Sequence, residues 1–95
     1  MPNNNLKNNI MQKTKLLLSQ KAANKVIGKN IRKIRTDKGV YTTALAEHLN
    51  VTKQLISEYE RGKVAISMDK LHALAKYFEV DINDFFKGLY VPEKK

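Results

Sequence analysis

The sequence predicts an all-α fold, and three observations carry that prediction. Apolar residues recur at helical spacing in Ile27, Ile31 and Ile34 and again in Leu71, Leu74, Ala75 and Phe78, as in helices with one face turned inward. Between them, residues 39 to 62, GVYTTALAEHLNVTKQLISEYERG, read as two short helices around an abrupt turn. No stretch of the remaining sequence requires a strand.

The first helix is expected from about residue 20 to 37, with Ile27, Ile31 and Ile34 inward and Lys29, Arg32 and Lys33 outward. The second spans about 42 to 49, where Leu45, Ala46 and Leu49 form a short inner stripe. Ala46 is small enough to let another helix cross closely. Asn50 then stands where a left-handed residue would end the helix, a conformation Asn tolerates better than most residues, and Val51 fills the corner. Thr52 is a good N-cap for a third helix over about 53 to 61. Ile56 and Tyr59 face inward along it, which puts Lys53, Gln54, Ser57 and Glu58 outside. Gly62 is its stop signal, and Arg61 suits the negative end of the helix dipole. A fourth helix, about 68 to 78, takes its first-turn polarity from Ser67 or Asp69. A fifth, about 82 to 87, is capped by Asp81, with Asp84 at the capping-box position, and is ended by Gly88. Pro92 blocks any further helix.

Composition limits the functional classes. Ninety-five residues support one small domain, and 18 Lys plus Arg against 9 Asp plus Glu leave a net charge of +9 that suits a polyanionic partner. The absence of Cys excludes disulfides, thiolate metal sites and cysteine nucleophiles, and fits a reducing compartment. No apolar run is long enough to span a membrane, and Leu16 to Leu18 are too few for a secretory signal. Residues 1 to 20 read as a basic, Asn-rich arm, 21 to 88 as the domain and 89 to 95 as a tail. Leu6, Ile10, Thr14 and Leu17 offer a weaker amphipathic pattern within the arm, against which stands the poor stability of short isolated helices.

Two short helices at a sharp turn, the second opening on polar side chains in a basic protein, make a DNA-binding helix-turn-helix the leading reading. Residues 27 to 86, running from IGKNIRKIR through LAEHLNVT and ISEYERGK to LHALAKYFEV and DINDFF, closely resemble the Cro and phage-repressor type of helix-turn-helix domain, the XRE family. That resemblance implies a five-helix lambda-repressor-like fold, and a transcriptional regulator, a repressor, that binds double-stranded DNA as a homodimer on a palindromic operator, cytoplasmic and associated with the nucleoid. It also implies a structural tie between Arg35 and Glu60. The sequence departs from the family where Tyr41 takes the usual Ser N-cap of the second helix and Thr42 replaces the Gln that often opens it.

Candidate site residues follow from position on the recognition helix, 53 to 61. Lys53, Gln54, Leu55, Ser57 and Glu58 are the expected base contacts: Gln suits adenine N6 and N7, Lys guanine acceptors and Glu the cytosine amine, while Leu55 is either a thymine-methyl contact or a poorly buried residue. Thr42, Thr43, Thr52, Arg61 and Lys63 are the expected phosphate contacts. The apolar cluster Phe85, Phe86, Leu89, Tyr90 and Val91 is the expected dimer surface. His48 and His72 lack ligand-spaced companions and read as exposed or packing residues. No catalytic constellation, cofactor or metal site is expected. The alternative is an antitoxin or adaptor whose main role is to bind a protein partner.

Overall fold

The computed structural model describes residues 19–89. Four α-helices, α1 (Gln20–Asp37), α2 (Thr42–Leu49), α3 (Lys53–Glu60) and α4 (Met68–Phe78), are followed by a 3₁₀ helix, η1 (Ile82–Phe86). The all-α expectation holds, and α3 and α4 begin directly after caps expected of them, Thr52 and Ser67.

Local chemistry sets the boundaries. Ser19 caps α1 by accepting from the Ala22 amide at 3.2 Å, so the helix starts one residue inside the expected arm. Asn50 ends α2 in the left-handed region, φ 56 and ψ 48, and the Thr52 hydroxyl caps α3 by accepting from the Leu55 amide at 3.0 Å. Of the two candidates for the start of α4, Ser67 is the cap, accepting from the Lys70 amide. Glu79 ends that helix at φ 58, a strained position for a residue with a Cβ.

The core joins all five elements: Ile31, Leu45, Ala46, Ile56, Tyr59, Leu71, Leu74, Ala75, Phe78 and Phe85 are buried. Ile27, Ile34, Leu49 and Val51 are half-buried against them. The crossing of α1 over α3 depends on glycine. A Cβ on Gly28 would collide with the Tyr59 carbonyl and come within 2.6 Å of the Glu60 carbonyl oxygen, so only a bare Cα lets the two backbones approach. At the end of α3, Gly62 adopts φ 73, and a side chain there would meet the Lys25 Cα at 2.6 Å.

Three expectations fail at the C-terminal end. Residues 82 to 86 form a 3₁₀ helix, not an α-helix, because the Asp81 carboxylate bonds the Asn83 amide at 2.9 Å and tightens the first turn. Asp84 forms no capping box and lies 3.5 Å from the Lys87 ammonium. Phe85 is not a dimer-surface residue: its exposure is 0%, at the centre of the core. Full burial of such a ring contributes roughly 2–3 kcal/mol. The Asn30 side-chain amide holds it there by donating to the carbonyls of Phe85 at 2.7 Å and Lys87 at 2.9 Å. Phe86 and Leu89 remain half-buried, while Tyr90, Val91 and the basic arm with its weaker amphipathic pattern at Leu6, Ile10, Thr14 and Leu17 lie outside the described residues.

Candidate nucleic-acid interface

The first turn of α3 projects from the domain because Ile56 and Tyr59 bury its other side. Lys53 and Gln54 are exposed, and Ser57 and Glu58 are half-buried. The Gln54 side-chain amide donates to Glu58 one turn on, at 3.5 Å, a weak bond that aligns the two side chains and leaves the Gln54 carbonyl oxygen free. Leu55 lies on the same turn. It is half-buried and packs against the core, which accounts for an apolar residue on this polar turn.

A groove beside this turn is lined by Arg32, Thr42, Lys53, Gln54 and Ser57, together with the Arg35 and Glu60 pair. Arg35 Nε and a terminal guanidinium nitrogen donate to the two Glu60 carboxylate oxygens at 2.6 and 3.0 Å, and the other terminal nitrogen donates to the Val40 carbonyl at 2.9 Å. With side chains 13% and 7% exposed, the pair fixes α1, the start of α2 and the end of α3 to one another.

Thr42 and Thr43 open α2 beside the groove. Tyr41, its N-cap, makes no side-chain capping bond and is 79% exposed, so the first amides of α2 are left to a ligand or water. Thr52 uses its hydroxyl oxygen as an acceptor in the cap and keeps its proton to donate. Arg61 and Lys63 are exposed, but they stand at the far end of α3, apart from the other candidates. Arg32 went unassigned in the sequence. The signal was present: it lies three residues before Arg35, on the same face of α1.

The two histidines take no part in this face. His48 packs its ring on Tyr77, centroids 4.5 Å apart, and His72 is exposed.

Comparison with known proteins agrees with this geometry. The helix-turn-helix family HTH_3 matches residues 31–85. The chain belongs to this family. It therefore carries a helix-turn-helix domain. An uncharacterised HTH-type transcriptional regulator of Rickettsia conorii is 38% identical over 63 residues, 66% of this chain and 50% of that protein. The HTH-type transcriptional activator BcrR of Enterococcus faecalis is 34% identical over 58 residues, 61% of this chain and 28% of that protein. The chain thus spans about half the length, or less, of these curated relatives. Among solved structures, the restriction-modification controller protein C.AhdI of Aeromonas hydrophila superposes with a TM-score of 0.63 at 25% identity, covering 68% of this chain and 98% of its own. The P22 c2 repressor, crystallised with a synthetic operator, superposes with a TM-score of 0.59 at 27% identity over 65% and 94%. These likenesses support the lambda-repressor-like architecture.

Proposed function

We propose that this chain binds double-stranded DNA sequence-selectively and represses transcription as a homodimer on a palindromic operator. The observation that carries the reading is the exposed Lys53 and Gln54 at the capped start of α3, beside a groove that also presents Arg32 and Thr42. Lys53, Gln54, Ser57 and Glu58 read base edges in the major groove, with Gln54 directed to adenine and Lys53 to guanine. The uncapped start of α2, with Thr42 and Thr43, holds a backbone phosphate, aided by Arg32 and the Thr52 hydroxyl. Arg61 and Lys63 hold another. Repression is favoured by the likeness to the P22 c2 repressor.

Dimerisation through Phe86, Leu89 and the tail would set the two recognition helices about 34–36 Å apart, in successive major grooves. Phe86 and Leu89 retain exposed surface that Phe85 lacks. Residues 1 to 20, with Lys7, Lys13 and Lys15 and no acid, add sequence-independent attraction.

Backbone amide shifts of the full chain titrated with a duplex test the reading. The largest changes are expected at residues 42 to 44 and 52 to 58. Changes confined to the face around His48 and Tyr77 would contradict it.

A further inference from the structure

A second groove lies between the start of α1 and the end of α3. It is lined by Gln20, Lys21, Asn24, Lys25, Arg61 and Lys63, packed around Gly62. All four charged members are cations, and all four are exposed. Among the described residues the ion pairs join Lys33 to Asp37, Arg35 to Glu60 and Lys87 to Asp84, and none engages this groove. The first turn of α1 contains no acid, so its helix dipole adds to the positive field.

The cluster is held in place by backbone. Gly62 at φ 73 brings the end of α3 against Lys25, so Lys21 and Lys25 of one helix and Arg61 and Lys63 of the other share a surface. Four exposed cations in an open groove match a chain of phosphates better than one enclosed anion. The position matters as well. An α-helix the length of α3, 8 residues, spans about 12 Å at 1.5 Å per residue. The major groove of B-DNA is about 12 Å wide. The seat at Thr42 and Arg32, beside the first turn of α3, and the cluster at its far end are thus spaced to meet the two strands that border one groove.

Resting on the DNA-binding reading above, we infer that Lys21 and Lys25 complete a second phosphate-backbone seat with Arg61 and Lys63. It meets the strand across the major groove from the one held at Thr42 and Arg32. The start of α1 thereby joins the interface, and the seat adds affinity without reading sequence.

The test uses the full chain carrying Lys21→Gln and Lys25→Gln together, titrated by fluorescence anisotropy against a random duplex and a selected preferred duplex over a range of salt. Both duplexes should weaken in affinity by the same factor. The slope of log affinity against log salt should fall by roughly 1–2 per protomer, because each phosphate neutralised by a cation accounts for about 0.9 of it. The double Lys→Arg variant should keep the wild-type slope. If the wild type binds and the Gln variant leaves the slope unchanged, the seat is refuted while the DNA-binding reading stands. A weakening restricted to the preferred duplex would also refute it. A wild type that binds neither duplex would overturn both.

Discussion

Arg35 and Glu60, 25 residues apart in sequence, face each other through two side-chain hydrogen bonds of 2.6 and 3.0 Å where α1 crosses α3. The contact orients the recognition helix, because the same guanidinium also donates to the Val40 carbonyl just before α2. A pair this shielded contributes little net stability when compared with an apolar pair of equal volume, yet removing one partner strands the other. Arg35→Ala should therefore destabilise the fold by roughly 3 kcal/mol. The Arg35→Met, Glu60→Leu double variant should cost less than either single truncation. Urea unfolding of the wild type, the Arg35→Ala and Glu60→Ala single variants and the double variant measures both effects.

Gly28→Ala tests the close crossing. Alanine is the better helix former by about 1 kcal/mol, so an open site would gain stability. Here the added Cβ meets the Tyr59 and Glu60 carbonyls, which are backbone and cannot swing aside. The variant should lose roughly 1–3 kcal/mol or more and unfold at a lower temperature in a calorimetric scan.

Burial raises the Tyr59 phenol above its ordinary 10.0. The folded state thus holds the Tyr59 proton more tightly than the unfolded chain does. The associated stability is fully present below the unfolded value and is lost as pH climbs through the folded one. The stability difference between wild type and Tyr59→Phe should be flat at neutral pH and shift against the wild type in alkali above 10.0. Denaturant unfolding of both proteins across that range reads the effect.

The helix-turn-helix was legible in the sequence because its signals are local. Asn50 in the left-handed region, Thr52 as a cap and the inward set Leu45, Ala46, Ile56 and Tyr59 each act within a few residues. The C-terminal end was not legible for the opposite reason. Phe85 is recruited to the core by an Asn30 side chain 55 residues away, and no periodicity over 82 to 87 encodes that contact. Its burial removes it from any dimer surface and leaves Phe86 and Leu89 as the described candidates. Leu55 packs against the core because the core extends beyond the narrow stripe of Ile56 and Tyr59. Gly28 was missed because its role lies in the carbonyls of another helix, not in its own turn.

Sequence-selective reading by the first turn of α3 is tested most directly by selecting bound fragments from random duplex DNA, with the wild type and with the Lys53→Ala, Gln54→Ala double variant in parallel. The wild type should enrich a two-fold symmetric motif with half-sites about one helical turn apart. The variant should still bind DNA through its phosphate contacts but lose preference at one or two base pairs per half-site, each worth roughly 1–3 kcal/mol. Enrichment of the same motif by both proteins, or of none by the wild type, would contradict base reading by Lys53 and Gln54.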